Sequence, residues 1–595
     1  MDFKRYELWE VTKDLTSTAM GFIPADTVIK NTKLINVNTK EIIEGTDIAI
    51  TKGRIALVGN ASHTIGKNTK VIDGTGYYAS PGFIDTHMHV ESSMLSVKEY
   101  ARCVVPCGTT TIFMDPHEIA NVLGIKGMEL MINDGKNLPL RVYATVPSCV
   151  PACPGFEDTG ASINADDIRE AMKIDEVKGL GEMMNFPGVL NNDNNIHNEL
   201  IETMKANKVI TGHYSIPDTD KGLNAYIASG IKCCHESVRK EDALWKMRLG
   251  MYAQMREGSA WHDLKETVRS ITENNIDTRF AVLISDDTHP NTLLKQGHLD
   301  HIVNRAIEEG VDPITAIQMV TINAAFCFEM QNDLGSISPG KIADILLISD
   351  LDKVKVDKVI FNGELVYENK KILVDIEKPN YPDYAKNTMK LHKKLEASDF
   401  IIKNSNDKVK IRVIEIIEAK VGTIHRIIET QTVDGEIKTD IKNDICKAVV
   451  VERHKATGKV GIGFVKGFGF KSGAVASTVS HDAHNLLIVG TNDEDMAIAG
   501  NALAECGGGM VVVNKGKIIA LNPLVIAGLM SEDSAEEVSN RLQKIEEGWK
   551  ELGCNLISPF MTNALLALAV LPELRLTNNG YVDTVNFKFV DLVVE

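Results

Sequence analysis

Short apolar runs alternate with amphipathic stretches along the chain from about residue 82 to residue 328. Each run has the length of one strand and precedes a stretch long enough for a helix, which is typical of a parallel sheet built from strand–helix units. Eight strands in about 250 residues is the size of a closed (β/α)8 barrel. The sequence therefore predicts an α/β fold with such a barrel. The predicted barrel strands are residues 82–87, 108–115, 140–146, 177–182, 208–213, 230–235, 250–256 and 279–286.

The segments on either side of the barrel carry a different pattern. Residues 27–72 and 335–373 contain short strand runs, and Asn362-Gly363 is a hairpin turn signal. We expect the second segment to complete the first, which gives a small β-sandwich domain that is discontinuous in sequence. The predicted units are an N-terminal arm (1–22), the β-sandwich domain (23–80 and 335–376), the barrel (81–334), a linker (377–406) and a C-terminal α+β domain (407–595).

Polar residues collect at the C-terminal ends of the predicted barrel strands. Barrel enzymes carry their chemistry at that rim. The alternative is that the strands simply end in polar turns, but turns would not select His and carboxylates over Asn, Gly and Ser. The residues at these ends are His87, His89, Asp115, Glu182, His213, His235, Arg256 and Asp286.

His87 and His89 stand two positions apart in the run from Phe83 to Val90, whose β-branched and aromatic residues predict a strand. Side chains alternate faces along a strand, so both rings point to one side, together with Asp85. Two imidazoles on one face can bind one metal ion, whereas in an ordinary core each ring nitrogen would need a hydrogen-bond partner. A satisfied pair of core histidines is the alternative for this motif taken alone.

Four further candidate ligands favour the metal interpretation: Glu182, His213, His235 and Asp286. A carboxylate such as that of Glu182 can bridge two cations, as two-metal hydrolytic sites require. Asp286 would lie beside the first strand once the barrel closes. Four histidines and two carboxylates suit zinc, manganese or iron, and ligand type alone does not choose among them.

Composition narrows the class of protein. The chain has 595 residues, of which 44% are apolar and 24% charged, as in an ordinary globular protein. Its net charge of -17 argues against a nucleic-acid partner, which would require a surplus of Lys and Arg. We find no apolar run long enough to span a membrane and no export signal near the start, so we expect a cytoplasmic protein. Its ten cysteines are expected to be reduced.

Several motifs resemble those of the amidohydrolase superfamily. Pro81-Gly-Phe-Ile-Asp-Thr-His-Met-His89 is similar to its first-strand signature, and residues 321–325 with 334–344 are similar to its closing signature. Within the superfamily the chain resembles the adenine deaminase family of the purine-base type, over nearly its whole length. The stretches that carry this second resemblance are residues 89–93, 114–118, 179–184, 256–259, 285–287, 480–485 and 507–509.

The resemblance implies a ligand set for two divalent metal ions, with manganese preferred and iron or zinc as alternatives. His87, His89 and Asp286 would bind the first ion, while His213 and His235 would bind the second. Glu182 would bridge the two ions, at a position where many relatives have a carboxylated lysine.

The resemblance also implies an activity, which is hydrolytic deamination of adenine to hypoxanthine and ammonia in purine salvage. Its implied partners are the small-molecule substrate and further copies of the chain in a dimer or tetramer, without nucleic acid or membrane. The implied catalytic residues are Asp286, Glu118 and His235, and the implied substrate-binding residues are Glu91, Ser92, Arg256 and His481.

Several of these assignments have alternatives. Glu118 would relay a proton to a ring nitrogen, or it pairs with an arginine as a loop carboxylate. Arg256 would contact the purine or neutralise Glu118, or it forms a surface salt bridge. His481 and His484, with Asp482 between them, suggest that the C-terminal domain covers the pocket, and a solvated loop is the alternative.

Other functions also remain open in the sequence. The chain could be another hydrolase of the superfamily, such as a cyclic amidase or an N-acetyl sugar deacetylase. It could also be a purine-binding relative without turnover.

Overall fold

The predicted barrel is present in the computed structural model, which describes residues 3–418 and 420–594. Its nine strands follow one another in sequence order around the sheet, and every neighbouring pair is parallel. The eight expected strands are confirmed, with the eighth divided in two. The barrel strands are Phe83–His89, Thr109–Met114, Arg141–Val146, Val177–Met183, Val209–Gly212, Cys233–Cys234, Tyr252–Arg256, Ala281–Ile284 and Asp286–Asp287.

The two parts of the eighth strand close the barrel. Ala281–Ile284 pairs with the seventh strand, and Asp286–Asp287 pairs with the first, where Asp286 lies opposite Met88. All seven residues of the first strand are buried. A strand buried on both faces is expected in a parallel barrel, since helices cover its outer surface.

Helices surround the barrel, and two of them illustrate why their residues form helices. Leu299–Glu308 buries Leu299, Ile302, Val303 and Ala306, which is the spacing of one helix face. Pro313–Met319 begins with Pro, and the side chain of Asp312 accepts the backbone N–H of Thr315. The other helices of this unit are Val97–Val104, His117–Leu123, Ile125–Asp134, Ala165–Ala171, Phe186–Leu190, Asn194–Lys205, Lys221–Ala228, Lys240–Arg248, Leu264–Thr267, Arg269–Thr272, Pro290–Lys295 and Ile322–Cys327.

The small β unit joins two segments that are distant in sequence, as predicted. Tyr78–Pro81, just before the barrel, pairs antiparallel with Ile345–Ile348, just after it. The helix Leu8–Ala19 packs on this unit through Val11 and Leu15, which contact Ala56. Its strands are Thr27–Asn36, Glu41–Thr51, Arg54–Gly59, Lys70–Asp73, Tyr78–Pro81, Ile345–Ile348, Val356–Phe361, Glu364–Glu368 and Lys371–Ile372.

The C-terminal region contains a ten-stranded sheet and a three-stranded sheet. Its strands are Lys408–Ile416, Thr423–Val433, Glu436–Ile437, Ile445–Val451, Val460–Lys466, Ala474–Ser477, Leu486–Gly490, Gly509–Asn514, Lys517–Pro523, Leu574–Thr577, Gly580–Asp583, Lys588–Val590 and Val593–Val594. Its helices are Asp493–Cys506, Ala535–Leu552 and Pro559–Ala564, and Asp383–Lys386 lies in the preceding linker. Short 3-10 helices occupy Ser62–Thr64, Glu91–Ser93, Val105–Cys107, Ala397–Phe400, Ile441–Asn443 and Leu565–Ala567.

The C-terminal region packs on the rim of the barrel where the strands end. The backbone N–H of Ser531 donates to the carbonyl of Met94 at 2.8 Å, after the first barrel strand. Asn485 donates its side-chain amide to the carbonyl of Asp158 at 2.8 Å, after the third strand. The C-terminal region and the barrel therefore meet at the rim where the candidate site residues lie. The exact residue boundaries of the domains stay a prediction.

Among residues 3–418 and 420–594, no helix combines the length and the apolar character needed to cross a membrane.

Candidate metal centre

Three of the predicted ligands meet where the first and eighth strands pair. His89 Nε2 lies 3.4 Å from Asp286 Oδ1, and His87 Nε2 lies 3.8 Å from the same oxygen. The three side chains are buried, and their ligand atoms all lie within 4.8 Å of one another. The spacing of His87 and His89 on one strand face thus produces the arrangement that the sequence predicts.

A second group forms around the carboxylate of Glu182, at the end of the fourth strand. Its Oε2 lies 2.6 Å from His213 Nδ1 and 3.1 Å from His235 Nε2. Its other oxygen, Oε1, lies 3.9 Å from His89 Nε2. The two oxygens of Glu182 therefore face different histidine groups, as a bridging ligand requires.

The chemistry of these atoms fits divalent cations. His87 Nε2 is buried and has no hydrogen-bond partner among the described residues, although a buried ring nitrogen normally has one. The rings of His87 and His235 stack at 3.8 Å between centroids, so the two groups adjoin. Four imidazoles and two carboxylates form a nitrogen and oxygen donor set that suits manganese, iron or zinc.

Both carboxylates favour the ionised form that a ligand needs. Burial alone would raise the pKa of Glu182, but His213 and His235 hold that pKa well below the usual range. Burial is likewise outweighed at Asp286, where His89 and Arg256 lower the pKa well below its ordinary value. Charge compensation by neighbours thus offsets the cost of burying two carboxylates together.

Asp115, at the end of the second strand, contacts two of the candidate ligands. Its backbone carbonyl lies 2.8 Å from His89 Nδ1, which fixes the hydrogen on that nitrogen and leaves Nε2 free to bind a cation. Its Oδ2 accepts the backbone N–H of Glu182 at 2.7 Å. This approach requires Gly181, because a Cβ there would lie 2.5 Å from Asp115 Oδ2.

Arg256 is buried, so the surface salt-bridge interpretation is wrong. Its Nη1 donates to Asp286 Oδ2 at 2.9 Å and its Nε donates to Asp263 Oδ2 at 2.8 Å. It also pairs closely with Glu236. The guanidinium does not reach Glu118 within ion-pair distance among the described residues, so the idea that Arg256 neutralises Glu118 is also wrong.

Glu118 and Ser92 lie together in the short helices that follow the first two strands. Ser92 Oγ is 2.9 Å from Glu118 Oε1 and 2.5 Å from Asp287 Oδ1. Glu91 is also buried, and its Oε1 accepts the backbone N–H of Ile119 at 3.2 Å. Burial and the charge of Glu118 raise the pKa of Glu91 to about 7. The described structure shows no arginine paired with Glu118, contrary to the loop-carboxylate alternative.

The loop at residues 480–485 enters the site from the C-terminal domain. His481, Asp482 and His484 are 8%, 3% and 0% exposed, so the solvated-loop alternative is wrong. Asp482 Oδ1 lies 3.9 Å from His117 Nε2, and His484 Nε2 lies 3.8 Å from Glu118 Oε2. His117 in turn contacts one of the candidate ligands, since its Nδ1 is 3.2 Å from Glu182 Oε1.

Comparison with known proteins places both parts of the chain. The Amidohydrolase family matches residues 78–366, and the Adenine deaminase C-terminal domain matches residues 420–588. "Adenine deaminase" of Clostridium botulinum strain Langeland is 61% identical over 100% of this chain and 99% of its own length.

The chain belongs to the adenine deaminase family.

A second relative matches nearly the whole chain, and solved structures match part of it. "Adenine deaminase" of Moorella thermoacetica is 56% identical over 99% of both chains. Among solved structures, a beta-aspartyl dipeptidase from Fervidobacterium islandicum AW-1 has 14% identity and a TM-score of 0.45, covering 59% of this chain and 98% of its own.

The structure of this adenine deaminase family member also shows site residues that sequence reasoning missed. Glu236 and Asp263 both bind Arg256, and Asp287 contacts Ser92. Glu236 directly follows His235 at the end of the sixth strand, and a carboxylate at a strand end is a feature that the sequence shows. Asp263 lies in a loop with no strand pattern, so its contact could not be inferred.

Proposed function

We propose that this chain catalyses the hydrolysis of adenine to hypoxanthine and ammonia, in purine salvage. The observation that carries the proposal is the convergence of His87, His89, Glu182, His213, His235 and Asp286 at one rim of the barrel, in a chain 61% identical to a relative named adenine deaminase. In this reaction a C6–O bond forms, the C6–N6 bond breaks, and the amino group leaves as ammonia.

We propose two divalent ions as the cofactor, with manganese first and iron or zinc as alternatives. His87, His89 and Asp286 would hold one ion, His213 and His235 the other, and Glu182 both. Bound divalent ions lower the pKa of water, which supplies a hydroxide nucleophile near neutral pH.

Asp286 is proposed to move the proton. Its carboxylate would accept a proton from the attacking water and pass it to the departing amino group, because an amide ion is a very poor leaving group. Arg256, which donates to Asp286 Oδ2 at 2.9 Å, would hold the carboxylate in place while the proton is transferred. His235 is proposed as a catalytic residue because it lies beside both His87 and Glu182.

Glu118 is proposed to protonate a ring nitrogen of the purine. Its Oε2 is buried without a hydrogen-bond partner in the described part of the chain, so it is available to a substrate. Glu91, Ser92, Arg256 and His481 are proposed to border the substrate from the barrel loops and from the C-terminal loop. Polar groups around a buried base would fix its orientation.

The decisive experiment measures ammonia release and metal content in the same preparation. Protein loaded with manganese is assayed with adenine, hydantoin and N-acetylglucosamine 6-phosphate, and its metals are counted by elemental analysis. We expect two equivalents of metal and ammonia from adenine alone. Cleavage of an amide without deamination of adenine would favour another superfamily hydrolase. Adenine binding without ammonia would favour a relative that lacks turnover.

We further propose that the protein is cytoplasmic and forms a dimer or a tetramer. Light scattering on the purified chain would measure the mass of the assembly, and a monomer mass of 65.3 kDa would contradict the second proposal.

A further inference from the structure

Asp286, the proposed metal ligand and proton carrier, has an unusual backbone conformation. Its φ angle is 56°, in the left-handed region. Residues other than glycine adopt this region at a cost in conformational energy. The conformation interrupts the eighth strand between Ala281–Ile284 and Asp286–Asp287. A residue in this region stays there only when its surroundings hold it.

Ser285, at the interruption, is attached to the first strand through Asp85. Ser285 Oγ donates to Asp85 Oδ2 at 2.6 Å, and its backbone N–H points to the same oxygen at 3.3 Å. The other oxygen of Asp85 accepts the backbone N–H of His87 at 3.3 Å. Asp85 therefore connects the residue before Asp286 to a metal ligand of the first strand.

His298, at the start of the helix Leu299–Glu308, completes this buried network. Its Nε2 lies 2.9 Å from the hydroxyl of Tyr100, 3.2 Å from Ser285 Oγ and 3.3 Å from Asp85 Oδ2. Its Nδ1 lies 2.7 Å from Thr109 Oγ1. A ring hydrogen on Nε2 lets His298 donate toward the Asp85 carboxylate, which only accepts, and Thr109 then donates to Nδ1. The hydroxyls of Tyr100 and Ser285 share the Nε2 position.

We propose that His298 is a positioning residue, which acts through Asp85 and Ser285 to hold Asp286 in the orientation that binds metal and transfers a proton. His298 is 1% exposed and Asp85 is 0% exposed, so water cannot replace the ring hydrogen bond. Groups that orient metal ligands in this way commonly change metal affinity or activity when they are removed. The kinetic part of this proposal rests on the proposed activity, and the metal-binding part rests only on the proposed metal centre.

Two variants of His298 separate the hydrogen bond from the volume of the ring. His298→Leu removes both ring nitrogens, while His298→Gln keeps an N–H at a position similar to Nε2. Ser285→Ala removes the middle of the connection with little change in volume, and it serves where His298→Leu fails to fold. His301→Leu is the matched control, because His301 lies on the same helix and its side chain forms no hydrogen bond among the described residues.

Metal affinity is measured first, by titrating metal-free full-length protein with Mn²⁺ in calorimetry. We expect His298→Leu and Ser285→Ala to bind one of the two equivalents about 10–100-fold more weakly. We expect His298→Gln to recover most of that loss and His301→Leu to match the natural protein. Wild-type affinity for both equivalents in folded His298→Leu or in Ser285→Ala would overturn the proposal.

Steady-state kinetics at saturating metal give the second readout. A displaced Asp286 should lower kcat about 10–100-fold and change the KM for adenine by no more than about twofold, because its proton transfer belongs to the transition state. An unchanged kcat in both folded variants would also contradict the proposal. If the natural protein releases no ammonia from adenine, the proposed function fails, and the metal titration still decides the role of His298.

Discussion

At the scale of single residues, the candidate site contains buried polar atoms that have no hydrogen-bond partner among the described residues. His87 Nε2, Glu118 Oε2 and Asp482 Oδ2 are buried without hydrogen bonds among the described residues. Leaving a buried polar atom unpaired costs about 1–3 kcal/mol. The proposed metal and substrate would supply partners for these three atoms.

Replacing Asp286 tests the proposed proton transfer. Asp286→Asn should retain the fold and lower turnover by about 10²–10⁴-fold, because the amide cannot accept the proton of the attacking water. Ammonia release measures the effect. Asp277→Asn, at an exposed carboxylate before the same strand, is the control and should behave like the natural protein. Near-normal turnover in Asp286→Asn would refute the assigned role.

A substitution at Gly181 tests whether the close approach of Asp115 to Glu182 is needed. In Gly181→Ala the new Cβ would lie 2.5 Å from Asp115 Oδ2, so Asp115 would have to release the N–H of Glu182. Overpacking of this kind costs about 1–3 kcal/mol, and we also expect a loss of bound metal. Thermal unfolding and elemental analysis measure both effects.

Gly422→Ala is the control for that substitution, since its new Cβ would be 3.5 Å from the carbonyl of Pro572, an ordinary contact. If Gly181→Ala kept its two metals and its unfolding temperature, the approach of Asp115 would not be needed.

At the scale of elements, the helix Asn194–Lys205 carries a buried acid. Glu199 lies among its buried positions, and burial together with the charge of Asp193 raises the pKa of Glu199 to about 8. The folded protein therefore keeps a proton that the unfolded chain releases above its ordinary pKa of about 4.3. Raising the pH between these two values favours the unfolded chain.

Glu199→Gln should remove this dependence. Between pH 5 and pH 8 the natural protein should lose up to about 1.4 kcal/mol of stability per pH unit relative to the variant, because one proton is released on unfolding. Urea denaturation at several pH values measures the difference. Parallel stability curves for the two proteins would show that Glu199 is ionised in the fold.

The strands and helices themselves follow local patterns. The first strand buries every side chain from Phe83 to His89, while Leu299–Glu308 buries only one face. A strand covered by helices buries both of its faces, whereas a helix packed on a core buries only one. Both patterns can therefore be recognised in the sequence. The interruption at Ser285 has no such local pattern.

At the scale of the whole molecule, the C-terminal domain completes the barrel rim. His481 is buried beside Asp482, and its backbone N–H donates to the carbonyl of Ala564 at 3.0 Å. The loop is thus held from its own domain while its side chains face the barrel. We expect this contact between domains to affect substrate binding more than metal binding.

His481→Ala tests that expectation. The variant should raise the KM for adenine about tenfold, since it removes a proposed substrate contact, and should keep two equivalents of metal. Initial rates and elemental analysis measure the two quantities. His392→Ala, at an exposed histidine of the linker, is the control. A loss of metal with an unchanged KM would show that His481 supports the metal centre instead.

The sequence by itself determined the eight barrel strands, the return of the chain to the small β unit and the six metal-ligand candidates. It could do so because strand periodicity and strand ends are local features, and the fold brings the ends of parallel strands to one rim. It also placed His481 as a candidate through a resemblance that covers the C-terminal domain.

Only the tertiary structure decided what lies around those candidate ligands. The burial of Arg256 between Asp286, Glu236 and Asp263, and the connection from His298 to Ser285, join residues that are far apart in the chain. Such contacts depend on the packing of loops against one another, and loop packing leaves no periodic pattern in a sequence. Hence the candidate ligands could be named from the sequence, while the residues that contact them could not.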